Sequence, residues 1–287
     1  MSLFADQLFN GITTGAIYIL LAVSLTFTYK VVGVVQLAQG DVMILGSIAG
    51  FYIAQEAVSL PLSITVAAVV CGLIGWLLYD AMFRWLQGKG HLPPLVAGIA
   101  LSTVIEGLIQ IFFYGGQPVH YPAGLISAPP DALSFRLTII GAAAVVGVGF
   151  YLITGHTSLG RALRATADTE DGSRVVGINV QRTKRAGFIL GAALAGGAGV
   201  LIGIVNQYLT PTSGLELEFI AIACILFGGL GSVVGAAVGG LVLGVGQSLV
   251  TTYLSSAYRD AITFGVVLVI VLLRPQGLLG APQRVRA

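Results

Sequence analysis

Four polar side chains, Gln36, Gln39, Asp41 and Glu106, stand in otherwise apolar stretches, with Gly40 set among the first three. A carboxyl group at membrane depth is costly enough to count as a functional candidate by default. Asp41 follows Gly40 at a predicted helix break near residues 36–41, where it can cap the helix that follows. The amino terminus of such a half-helix carries free N–H groups and the positive end of a dipole, suited to a solute carboxylate at mid-membrane, although Asp41 would oppose an anion there. A kink that only shapes the bundle is the alternative. Glu106 is read in two ways, as a contact between helices or as part of a solute passage.

The remaining chemistry is sparse. The single Gly-Lys dipeptide, Gly88-Lys89, lacks the earlier glycine and the following Ser or Thr of a phosphate-binding loop, so the chain is not expected to hydrolyse ATP. His91, His120 and His156 fall in separate loops without metal-ligand spacing, so no metal site or hydrolase is expected. Cys71 and Cys224 lie inside apolar runs and are read as buried thiols, not a disulfide framework. No catalytic cluster is recognisable, and an enzyme is not expected.

The elements that must position these residues follow from composition. The 287 residues are 56% hydrophobic and 9% charged, where soluble domains carry roughly a quarter of their residues as charges. A lipid bilayer is the implied surroundings, and a net charge of +2 gives no reason to expect a nucleic-acid partner. Spans of about 20 apolar residues are predicted at about 8–29, 34–54, 61–85, 94–114, 137–154, 186–206, 217–231, 233–254 and 260–273. The fold class is therefore an all-α polytopic bundle with eight or nine spans; the second and seventh are the doubtful ones, as broken or re-entrant segments. The first is read as a retained span because no basic segment or cleavage site accompanies it.

Arg161, Arg164, Arg174, Arg182, Lys184 and Arg185 crowd the loop at 155–186, whereas the connection at 115–136 holds only Arg136. Positive charge marks the cytoplasmic side. The first loop is expected inside and the second outside, with Arg84, Lys89, Arg274, Arg284 and Arg286 on the inner side, the C-terminus cytoplasmic and the N-terminus outside. The inner loop is polar, basic and long enough to be functional, and a short helix in it can dock on a soluble partner. Forty glycines suit close packing of helices in lipid. Gly231, Gly235 and Gly239 recur four apart, with Gly240 and Gly244 on a neighbouring stripe, and predict a helix face of nearly bare backbone.

Taken in order, the motifs resemble those of the branched-chain amino acid permeases of bacterial ABC importers. They are Asn10-Gly11 with Gly15, Tyr18 and Ala22; Gln36-Leu37-Ala38-Gln39-Gly40-Asp41 with Gly46; Gly160-Arg161-Ala162 through Gly177-Ile178-Asn179; and Arg274-Pro275-Gln276-Gly277-Leu278-Leu279-Gly280. Gln36, Leu37, Asp41 and Glu106 depart from the family pattern of Asn, Phe, Glu and Gln. The resemblance implies one transmembrane permease domain over 1–287 in the bacterial inner membrane. It implies a second permease, paralogous or identical, two ABC ATPase subunits that use the ATP, and an extracytoplasmic solute-binding protein, with no cofactor bound to this chain directly. Solute would pass Gln36, Gln39, Gly40, Asp41 and Glu106 by alternating access. Ala167 to Gly177 would sit in a groove of an ATPase, within a coupling loop holding Arg161, Arg164, Asp168 and Ile178. The substrate stays open among leucine-like amino acids, amides, urea and small aromatic acids. A self-sufficient secondary transporter or channel is the alternative, disfavoured by the scarcity of intramembrane ionisable groups.

Overall fold

In a computed structural model of the chain, the structure describes residues 3–33, 36–56, 59–87, 89–90, 92–122, 125–126, 129, 132–210, 212–274 and 277–279. His91, Arg284 and Arg286, and the Pro275, Gln276 and Gly280 of the last motif, lie outside them. The first helices are α1 (Leu3–Val32), α2 (Gln39–Gln55) and α3 (Leu60–Leu78), the last carried on by a π-helical turn at Tyr79–Phe83 and a final turn at Arg84–Leu86. They are followed by α4 (Leu92–Phe112), α5 (Leu133–His156), α6 (Ser158–Asp168) and α7 (Glu170–Val175). The chain closes with α8 (Val180–Asn206), α9 (Gly214–Gly228), α10 (Val233–Tyr253) and α11 (Arg259–Leu273). An all-α membrane bundle results, in which, among the described residues, seven helices are long and apolar enough to cross a bilayer, α11 being taken together with the 3-10 turn at Ser256–Tyr258 that leads into it. The other two apolar stretches form α2 and α9, with 17 and 15 residues, which are shorter than a full span requires.

Local chemistry sets the ends. Proline stands in the first turns of α3 and α4, where its missing N–H costs nothing. Gly33 ends α1 at φ +80° and Gly177 follows α7 at φ +81°, a conformation that glycine adopts without the Cβ penalty. The Thr157 hydroxyl caps α6 by accepting from Gly160 N–H, and the Asn179 side chain caps α8 by accepting from Arg182 N–H.

Helix α8 is the axis of the bundle: 78% of its most apolar window is buried, against 11% for α5 and α11. It can be surrounded because its glycines admit neighbouring backbones. A Cβ on Gly199 would lie 2.0 Å from the Met43 carbonyl of α2, one on Gly196 2.6 Å from Cys71 of α3, and one on Gly191 2.1 Å from Thr28 of α1. With Gln39 at Gly191, Val31 at Gly187 and Gly75 at Ala192, these contacts fix direction, α2 running parallel to α8 and α1 and α3 antiparallel. On α10, Gly240 meets Tyr18 and Ile19 while Gly244 meets Gly11 and Gly15, so α10 is antiparallel to α1. At the upper end, where α1 begins, two short strands pair antiparallel, β1 (Val119–His120) with β2 (Tyr208–Leu209). Beside them Tyr121 donates to the Ser47 carbonyl at 3.3 Å. Arg136, at the same end, pairs with Asp6 at 3.2 Å.

One packing residue is corrected. Gly235, Gly239, Gly240 and Gly244 lie on α10 and meet backbone atoms of α1 or α9, but Gly231 precedes the helix at φ +82° with no described residue near its missing Cβ. The four-residue spacing extends past the helix start because a turn glycine falls in phase with it.

Leucine at Gly196 should destabilise the detergent-solubilised chain by about 1–3 kcal/mol through overpacking, read as a lower thermal midpoint. Leucine at Gly141, which has nothing within 4 Å of its missing Cβ, should change it by less than about 0.5 kcal/mol.

Candidate functional site

The segment from Gln36 to Asp41 lies at the middle of the bundle. Gln39 Nε2 donates to Ser24 Oγ and to the Gly191 carbonyl, both at 3.1 Å. Gly191 stands about 16 Å up the axis of α8 at 1.5 Å per residue, in a helix about 40 Å long. Residues 36–38 are non-helical, and α2 starts at mid-depth. Gln36, Gln39 and Asp41 are all buried, and among the described residues neither amide atom of Gln36 has a hydrogen-bond partner.

Helix α9 starts at the same point and runs down from it. A Cβ on Gly40 would lie 2.1 Å from the Gly214 carbonyl, and one on Gly214 would lie 2.1 Å from Asp41 Oδ1. The two amino termini thus meet backbone to backbone, an approach only glycine permits. Ala38, which precedes α2, has no side-chain cap to offer. The first turn is satisfied from α9 instead, where Glu218 Oε2 accepts from Gly40 N–H at 2.6 Å. Two helix amino termini facing each other bring positive dipole ends together, and a carboxyl group from each helix offsets this. The far end of α9 is closed by the last motif, whose Leu278 and Leu279 N–H groups donate to the Phe227 and Gly228 carbonyls at 2.9 Å.

Helix α4 flanks this junction. Gly98 packs on the Leu37 backbone, Ser102 reaches Asp41, and Glu106 follows one turn along, half-buried and accepting from Gln110 Nε2 at 3.2 Å. The structure therefore gathers Gln36, Gln39, Gly40 and Asp41 around one junction and sets Glu106 on its edge. Glu218 is absent from the sequence candidates. It stands in Leu215-Glu216-Leu217-Glu218, at the margin of a predicted span, where an acid reads as loop. The signal was an acidic residue followed by an unbroken apolar run with no turn residue between them.

Above the junction a cavity of about 250 Å³ opens between α1, α2, α8, α9, α10 and α11. Tyr18 Oη donates to Gln247 Oε1 across it at 2.8 Å. Arg259 pairs with Glu216 at 2.6 Å on its wall.

The loop at the lower end is clamped to the bundle. Lys184, buried on α8, pairs with Glu170 of α7, and Arg185 pairs with Asp80 of the π-helical turn after α3 at 2.8 Å. On α6, Arg161, Arg164 and Asp168 are exposed and Ala167 is half-buried, while Leu163 packs inward against Gly187 of α8. Gly177 and Ile178 close α7 by donating to the carbonyls of Arg174 and Ser173. At the tip, Val175 and Val176 are 87% and 72% exposed.

Residues 7–272 match the family described as the permease component of branched-chain amino acid transport systems. The high-affinity branched-chain amino acid permease LivH of Salmonella typhimurium is 28% identical over 98% of this chain and 96% of its own length. The corresponding BraD of Pseudomonas aeruginosa is 29% identical over 98% and 97%. The ribose import permease RbsC of Haemophilus influenzae is 26% identical over 93% and 84%.

Leucine at Glu218 should leave the Gly40 N–H without a partner and cost about 1–3 kcal/mol, seen as reduced thermal stability in detergent. Glutamine there keeps an acceptor oxygen and should recover most of the loss.

Proposed function

Because the chain belongs to the permease family of branched-chain amino acid transport systems, we propose that it is the membrane subunit of an ATP-driven ABC importer. It would carry branched-chain amino acids or similar small solutes inward. The reading rests first on the cavity, which enters from the upper end and stops where α2 and α9 cross. A passage with a floor is what alternating access requires: the floor parts only when the other mouth has closed. The ribose permease among the relatives means that family membership alone leaves the solute class open. The greater coverage by the amino acid permeases favours an amino acid.

Orientation follows from charge. The lower end carries Lys30, Arg84, Arg161, Arg164, Arg174, Arg182, Lys184 and Arg185, and such an excess faces the cytoplasm. The N-terminus is then outside the bacterial inner membrane and the C-terminus inside, so the cavity receives solute from an extracytoplasmic binding protein. The passage continues past Gln36, Gln39, Gly40 and Asp41, with Glu106 at its edge. Single-chain use of residues 1–287 as one permease domain pairs with a second permease, identical or paralogous.

On this reading α6 and α7 form the coupling element, with Arg161, Arg164, Ala167, Asp168, Gly177 and Ile178 in or beside the ATPase groove. Two features support it. The exposed valines give a soluble partner an apolar hold, and the Lys184–Glu170 and Arg185–Asp80 pairs would pass a displacement of α7 to α8 and α3. ATP is bound and hydrolysed in the partner subunits, and this chain holds no cofactor itself.

In vesicles, uptake of radiolabelled leucine should require this chain, a partner permease, both ATPase subunits, the binding protein and internal ATP. Gradient-driven uptake by this chain alone would make it a secondary transporter or channel. Cysteines placed at Val175 and Val176 should crosslink to the ATPase subunit, and one at Tyr253 should not; failure at both valines would remove the coupling assignment.

A further inference from the structure

In the lower half of the bundle a second cavity, of about 410 Å³, runs between α1 and α5 down to α6. Its lining is apolar almost throughout, with Leu20, Val23 and Phe27 of α1, Phe150 of α5, Leu163 of α6 and Leu194 of α8. Gly147 of α5 keeps it open, since the only described atom within 4 Å of its missing Cβ is Leu20 Cδ2 at 3.4 Å. Tyr151 and Val234, which also line it, are 64% and 69% exposed, so the groove opens outward between α5 and the start of α10. Outside lies hydrocarbon, and an apolar slot left empty there forfeits the dispersion contacts that a chain within it would make.

Two charged residues line the groove, Lys30 in the last turn of α1 and Arg164 of α6, both basic and both exposed. Lys184, Arg185 and Arg174 at the same end are each paired with a carboxylate, whereas among the described residues Lys30 and Arg164 are paired with none. Arg164 Nη1 donates to the Thr154 carbonyl, which holds the guanidinium beside the lower end of α5. From Leu20 to Lys30 the groove follows α1 for about 15 Å at 1.5 Å per residue. That is the hydrocarbon depth of one leaflet, half of about 30 Å.

An apolar slot one leaflet deep, ending at two unpaired cations, complements a molecule with a long hydrocarbon tail and an anionic head. We propose that this groove is a binding site for an anionic phospholipid, with an acyl chain between α1 and α5 and the phosphate between Lys30 and Arg164. The bound lipid joins α6 to the two helices beside it. The orientation argued from charge makes this the cytoplasmic leaflet; binding itself depends neither on that orientation nor on the importer reading.

Native mass spectrometry of the full chain in neutral detergent, titrated with phosphatidylglycerol or phosphatidylcholine, reads the site. Phosphatidylglycerol should bind more tightly, and Lys30→Gln and Arg164→Gln should each weaken it about fivefold while leaving phosphatidylcholine unchanged. Arg182→Gln, which removes an exposed cation of the same end outside the groove, should leave both lipids unchanged. Gly147→Leu, which fills the upper groove, should weaken both lipids without lowering the thermal midpoint of the lipid-free chain. Equal affinity for the two lipids, or an equal loss in Arg182→Gln, would reduce the attraction to general surface charge and overturn the site. Displacement of phosphatidylglycerol by inorganic phosphate would overturn it as well, by showing an anion site that needs no tail. Crosslinking of a cysteine at Tyr151 to a second permease in cell membranes would seat a protein in the groove and exclude the lipid.

Discussion

Two helix amino termini buried face to face at mid-bundle impose the constraint on which the rest of this structure depends. Each start of α2 and α9 brings unsatisfied N–H groups and a positive dipole end into surroundings that hold little water to receive them. The solution is reciprocal: Glu218 of α9 accepts from the first turn of α2, and Asp41 of α2 lies against the first residue of α9. Neither carboxyl could reach across if Gly40 and Gly214 carried side chains. Capping, close approach and polarity at depth are therefore one feature.

From that junction the larger arrangement follows. Because α9 starts at mid-depth and runs down, it leaves room above it, and α1, α2, α10 and the start of α11 enclose that room as a cavity. The same junction closes the cavity below. Helix α8 supports it from behind, its glycines letting α1, α2 and α3 approach to backbone contact. Because lipid gives helices no hydrophobic reason to associate, such contact supplies the packing that apolar burial supplies in water.

The mid-membrane position of α2 also alters what its amino terminus is for. Its dipole end does not stand open to a solute carboxylate, because Glu218 already fills it. Glu106, the clearest intramembrane acid in the sequence, lies at the periphery of this arrangement on α4, a lightly buried helix. Glu218, at the edge of an apolar run, lies at its centre.

The amino-acid sequence by itself determined the class of the molecule. Apolar runs long enough to span a bilayer must become helices, because a helix satisfies every backbone group internally. The ordered motifs named the family, and the lysines and arginines around 155–186 marked one end of the bundle. The sequence also marked residues 36–41 as a break, since glutamine, glycine and aspartate do not continue a lipid-facing helix. What only the tertiary structure decided was partnership across the chain: Gly40 with Glu218, Gln39 with Gly191, Tyr18 with Gln247. Those pairs are separated by 152 to 229 positions, and no local period encodes them. They exist because glycine contacts between helices set depth and direction, and depth decides which polar group finds which.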